Sequence, residues 1–163
     1  MLRTQSNPRA KPTAAERSFR QLIRTFGLLE RVMQPYFARF GISGAQWGVL
    51  RNLHRAEQEG QAGLRLTDLS RRMLIRPPSV TGIADRLEKV GLIVRRASET
   101  DGRSKHVALT EKGRHLVEQV LMVHPAQIAR VMGGLSVEEQ EQLDHLLVRV
   151  SEHIAILADG SGD

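Results

Sequence analysis

Residues 77–113 read PPSVTGIADRLEKVGLIVRRASETDGRSKHVALTEKG. The stretch changes its periodicity partway. Val80, Ile83, Ala84, Leu87 and Val90 recur at helical spacing and predict one apolar face. Ser79, Thr81, Gly82, Asp85, Arg86 and Lys89 fall on the other side. Pro77-Pro78 suits a helix start, where the first N–H groups lack intrahelical acceptors anyway. Gly91 suits its end. From Leu92 to Arg96 the chain is β-prone, Asp101-Gly102 is a turn dipeptide, and Lys105 to Leu109 predicts the returning strand. Thr110 is a candidate cap for a new helix from Glu111.

Working outward, Leu64-Arg65-Leu66 reads as a short strand. Thr67 reads as the cap of a helix to about Met73, and residues 74–76 as a turn. Ser43 is a candidate cap for a helix over about residues 44–56, and residues 57–63 read as a loop. Thr13 with Glu16 forms a capping-box pattern opening a long helix, whose apolar positions run from Phe19 to Phe40. Pro35 should kink or end that helix. Pro125 should kink or interrupt the helix that follows Thr110, and Gly133-Gly134 should end it. Ser136 with Glu139 opens a last helix carrying Leu143, Leu146, Val150, Ile154 and Leu157. The order is helix, turn, helix, hairpin, flanked by long apolar helices. A helix with one buried face, joined to a hairpin bearing Arg95, Arg96, Arg103 and Lys105, suits duplex DNA. The helix would enter the major groove and the hairpin would lie over the backbone.

The stretch resembles the MarR family of winged helix-turn-helix transcriptional regulators. The resemblance rests on Pro78-Ser79-Val80-Thr81, Asp85-Arg86-Leu87-Glu88 and Gly91-Leu92-Ile93. It also rests on Asp101-x-Arg103 followed by Val107-x-Leu109-Thr110-x-x-Gly113, and it extends over about residues 15–157. It implies a mainly helical fold with a small β-hairpin wing, an α+β winged helix-turn-helix with long terminal dimerisation helices. The corresponding division is a basic disordered tail at 1–12 and one MarR-like domain at 13–163. Within that domain, 13–40 and 111–158 are dimerisation helices and 42–110 is the DNA-binding region. The candidate DNA contacts are Pro78, Ser79, Thr81, Gly82, Arg86, Arg95, Arg96, Asp101, Arg103 and Lys105. Arg103 at the wing tip is placed to enter the minor groove, whose negative potential attracts a guanidinium. Asp101 would pair with Arg103 or with Arg95 and fix its geometry, as the resemblance implies. Arg95, Arg96 and Lys105 would meet phosphates. The family often carries a basic residue where this chain has Gly82.

Composition agrees with a polyanion partner. The net charge is +6, spread unevenly. Residues 1–24 hold six Lys and Arg against one acid, residues 65–106 ten against five, and residues 107–163 four against nine. A basic surface raises both on-rate and affinity for nucleic acid. The chain has no cysteine, which excludes disulfides, thiolate zinc sites and thiol redox sensing. It has neither a membrane-length apolar run nor a signal-peptide pattern, so a soluble cytoplasmic protein is expected. Its six histidines include no pair at i,i+3 or i,i+4 spacing, so no metal site is expected. No nucleophile elbow or phosphate-cradling glycine loop points to an enzyme, and no cofactor is implied.

The apolar faces of the terminal helices exceed what a small winged helix covers, so a homodimer is expected. Two-fold symmetry predicts a palindromic operator. The resemblance further implies a small organic effector between the dimerisation and DNA-binding regions, with Phe26, Met33, Trp47, Leu50 and His54 as candidate contacts, the alternative being that these residues are core. The expected function is a sequence-specific, ligand-responsive repressor. The alternative is a winged helix used as a protein-interaction module without DNA readout.

Overall fold

The computed structural model describes residues 11–97 and 105–160. Six helices and one hairpin follow in order: α1 (Ala14–Ala38), α2 (Gly44–Gln58), α3 (Leu66–Met73), α4 (Pro77–Lys89), β1 (Ile93–Ala97), β2 (Lys105–Leu109), α5 (Glu111–Met132) and α6 (Val137–Asp159). This is the mainly helical winged-helix order expected. The chain divides into two compact units, Met1–Glu118 and Gln119–Asp163.

The first unit holds nearly all the core. Leu50 and Val49 of α2, Leu69 of α3, and Val80, Ala84 and Leu87 of α4 lose all contact with water, together with Val107 of β2. Full burial of each such aliphatic side chain is worth about 1.5–3 kcal/mol. Helices α2, α3 and α4 pack on one another, and the hairpin closes the cluster. β1 and β2 pair antiparallel, with Ile93 opposite Leu109 and Arg95 opposite Val107.

Helix ends follow sequence signals closely. Thr13, Ser43 and Ser136 each form a complete capping box, with Glu16, Gln46 and Glu139 respectively. At the end of α4, Gly91 adopts φ +72. Its N–H reaches Glu88 O at 2.9 Å, and Leu92 N–H reaches Leu87 O at 2.9 Å. That is the Schellman pattern, which needs a left-handed residue at this position. Thr110 joins this end of α4 to the start of α5. Its hydroxyl donates to Gly91 O at 2.7 Å and accepts from Gly113 N–H at 3.0 Å.

Several expectations are corrected. Neither proline ends its helix: α1 continues past Pro35 and α5 past Pro125. The one hydrogen bond Pro35 removes lies near the C-terminus of α1, where buried Tyr36 and Phe37 hold the last turn. Leu64 makes a single bridge to Val107 rather than a strand, and Leu66 already belongs to α3. Thr67 therefore lies inside α3, and Arg65 precedes it without a side-chain cap. Val90 does not join the apolar face of α4. It sits at the helix end, 49% exposed. The tail over 1–10 lies outside the described residues.

Candidate nucleic-acid interface

Helix α4 buries Val80, Ile83, Ala84 and Leu87 and turns its opposite side to solvent. Pro77 and Pro78 fill its first two positions. The preceding turn is held by Ser70, a buried polar side chain whose hydroxyl donates to Ile75 O at 2.6 Å. Ser79 is exposed near the helix N-terminus. The Thr81 hydroxyl donates to Pro77 O at 3.0 Å, which leaves its oxygen lone pairs and methyl group facing outward. A Cβ built at Gly82 would meet only the Arg86 guanidinium, at an ordinary contact distance of 3.9 Å, so Arg86 lies back along the helix over Gly82 without needing its missing side chain. Arg86 is exposed and pairs with none of the described carboxylates. It is the free cation on this face best placed to meet a phosphate.

Arg95 takes a different role from the phosphate contact expected of it. Its guanidinium reaches Asp85 at 2.5 Å and also pairs with Glu88, both on α4. The side chain is only 23% exposed. The hydrogen bond to Asp85, reinforced by the charge of Glu88, raises its pKa further above the ordinary arginine range. Strand β1 is thus braced against α4 by two charge-assisted bonds, which are shorter and stronger than neutral ones. The neighbouring Arg96 is exposed and remains available. The sequence shows Asp85, Glu88 and Arg95 but not that the Schellman turn brings the strand back over α4. Asp101 and Arg103 lie outside the described residues, as does the Lys105 side chain.

This arrangement predicts two separable effects. Arg95→Gln should lower duplex affinity about fivefold per half-site, near 1 kcal/mol for a partly exposed charged pair, and leave the salt dependence unchanged. Arg96→Gln should reduce the slope of log affinity against log salt by about 0.9 per subunit. Equal slope losses in both variants would return Arg95 to the backbone contacts.

The candidate effector residues do not gather at one place. A groove of about 830 Å³ runs between the C-terminal half of α1 and the start of α2. Phe26, Met33 and Phe37 line it with Gln34, Arg31 and Ser43. Trp47 and Leu50 belong to the core instead, at 8% and 0% exposure. Trp47 lies one ring behind the groove, 5.9 Å from Phe37 between ring centroids. His54 is half-buried, and its Nδ1 is buried without a hydrogen-bond partner. Among the described residues no cluster of His, Asp and Glu is arranged to hold a metal. No single helix among them is long and apolar enough to cross a membrane.

A helix exposing Ser79, Thr81 and Arg86 beside a braced basic hairpin is the geometry of a DNA reader. Comparison with known proteins agrees. The model of the MarR family matches residues 40–104. The HTH-type transcriptional repressor MdtR of Bacillus subtilis is 32% identical over 127 residues, covering 78% of this chain and 79% of that one. The chain belongs to the MarR family. Among solved structures, Bordetella bronchiseptica BpsR, described with regulation of its DNA binding by 6-hydroxynicotinic acid, aligns at TM-score 0.72 and 26% identity. That alignment covers 83% of this chain and 99% of BpsR. A MarR mutant of E. coli complexed with operator DNA aligns at TM-score 0.73 and 24% identity, covering 80% of this chain and 91% of that one, and shares the fold. As a MarR-family member the chain is a DNA-binding transcriptional regulator and not an enzyme.

Proposed function

We propose that the protein is a homodimeric, ligand-responsive repressor that acts in the cytoplasm on a palindromic operator. Residues 42–110 form its DNA-binding region, 13–40 and 111–158 its dimerisation helices, and 1–12 a basic tail. The observation that carries the DNA reading is the outward side of α4 beside the braced hairpin. Ser79 and Thr81 are the base-edge candidates, with Gly82 permitting close backbone approach and Pro78 setting the helix start. Arg86, Arg96 and Lys105 meet phosphates. Arg103, held by Asp101, enters the minor groove.

Dimerisation is supported by apolar surface that the chain leaves uncovered. Phe19, Ile23 and Phe26 of α1 are 67%, 58% and 60% exposed, and Leu146, Ile154 and Leu157 of α6 are more than half exposed. Val120 is the one buried residue among those described in the second unit. A helical segment without a core of its own needs a second copy to cover it. Repression is supported by MdtR and by the B. subtilis repressor YetL, which is 30% identical over 131 residues. A small organic effector is supported by the groove beside Phe26 and Met33 and by the regulation described for BpsR. Such a ligand acts only through its differential affinity for the DNA-competent and incompetent states.

Selection of bound duplexes from a random pool tests this reading. The expected product is a palindrome with half-sites one helical turn (~34 Å) apart, bound by a dimer. Titration of small aromatic acids should then release that duplex and change Trp47 fluorescence. Binding as a monomer to an asymmetric site would overturn the proposal.

A further inference from the structure

Helix α1 carries a second charged feature that base reading does not use. Arg17, Arg20, Arg24 and Arg31 fall within one narrow strip along it, about 21 Å long at the helical rise. Phe19 and Ile23 share a shallow concavity with Arg20 and Arg24, and Phe26 lines the groove at α2 together with Arg31. No residue from 14 to 32 is buried. Helix α1 packs on α2, and α2 in turn packs on α4.

Only Glu16, beside Arg20, offsets the strip among the described residues, and it makes no ion pair with it. Arg20, Arg24 and Arg31 pair with none of the described carboxylates, and Arg17 gives one N–H to Pro12 O at 2.6 Å. The nearest acid, Glu16, is held by the Thr13 N–H and hydroxyl, and the Thr13 backbone bond lowers its pKa. Arg17–Arg20 and Arg20–Arg24 are like-charge neighbours at i,i+3 and i,i+4, an arrangement that weakens a helix. Residues 1–12 add Arg3, Arg9 and Lys11 and no acid.

We propose that the α1 arginine strip, Arg17, Arg20, Arg24 and Arg31, is a second nucleic-acid surface that grips the phosphate backbone of a duplex other than the one read by α4. Guanidinium forks match phosphate geometry, and a straight row of cations follows a backbone without reading sequence. One protein dimer would then bridge two DNA segments. The inference does not depend on operator recognition, because the strip contacts phosphates only.

The test uses the full-length protein, a mixed-sequence 25-base-pair duplex on beads and a second, fluorescent duplex in solution, at low salt. The wild type should capture the second duplex. Arg17→Gln/Arg20→Gln/Arg24→Gln/Arg31→Gln should bind a single duplex within about twofold of wild type and lose at least tenfold in capture. Four lost phosphate contacts would also reduce the salt slope of capture by about 3–4 per strip. Circular dichroism and sedimentation confirm that the variant is a folded dimer. If it is not, Arg24→Gln/Arg31→Gln serves, with about half the slope loss. Wild type that fails to bridge, or a folded variant that bridges equally well, overturns the proposal. So does strip-dependent binding to phosphatidylserine vesicles without bridging, which would assign the strip to a lipid surface.

Discussion

Raising salt from 50 to 200 mM is expected to weaken duplex binding by about 10³–10⁵-fold, the response of a protein making 6–10 phosphate contacts. Seven exposed Lys and Arg lie between residues 65 and 97 in each subunit, so two subunits supply that number with several to spare. Counterion release, rather than the base contacts of Ser79 and Thr81, then dominates affinity. Arg95 is left out of this count because Asp85 and Glu88 already neutralise it. Titration of a fluorescent duplex by anisotropy across that range measures the slope. A flat response would remove DNA as the partner and leave the winged helix as a protein-interaction module.

The reading unit was legible because its signals are local. The period of Val80, Ile83, Ala84 and Leu87 fixed the buried side of α4, and Gly91 its end. The hairpin arms at β1 and β2 fell within a residue of expectation. Three capping boxes marked helix starts because the bonds they make span only three residues. What stayed hidden depends on distant segments meeting. Arg95 read as a free cation because its partners lie seven and ten residues away, across a turn whose path no propensity specifies. Leu64 read as strand, yet it has one partner residue, Val107, and nothing to extend the ladder. Trp47 and Leu50 read as either pocket wall or core, because apolar core and apolar pocket share one periodicity. Only packing separates them: Leu50 is fully buried, whereas Phe26 faces an open groove. Prolines were overweighted for a related reason. A missing N–H costs one bond, and neighbouring packing decides whether the helix continues.

Gly113→Ala is expected to destabilise the fold by about 3–5 kcal/mol, against the direction that helix propensity predicts. Within a helix, alanine is ordinarily favoured over glycine by about 1 kcal/mol. Here the first turn of α5 lies directly on the Leu92 carbonyl. A Cβ at Gly113 would fall well inside contact distance of that oxygen and 3.3 Å from Leu109 Cδ2. The carbonyl cannot retreat, because Leu92 O accepts the Thr110 N–H at 3.1 Å while Leu92 N–H closes the Schellman turn. Relief requires α5 to lift away from the end of α4. That would break the Thr110 bond to Gly91 O and the Lys112 bond to Val90 O at 2.8 Å. The loss is a large part of a typical total stability of about 5–15 kcal/mol, so the urea midpoint should drop steeply and duplex binding should fall with it. Gly82→Ala is the matched control, since only the mobile end of Arg86 lies near the added methyl. It should stabilise α4 by up to about 1 kcal/mol and leave Arg86 where it is. Urea melts of the two variants beside wild type decide the matter. Stabilisation by both would mean that α5 does not rest on the Leu92 carbonyl.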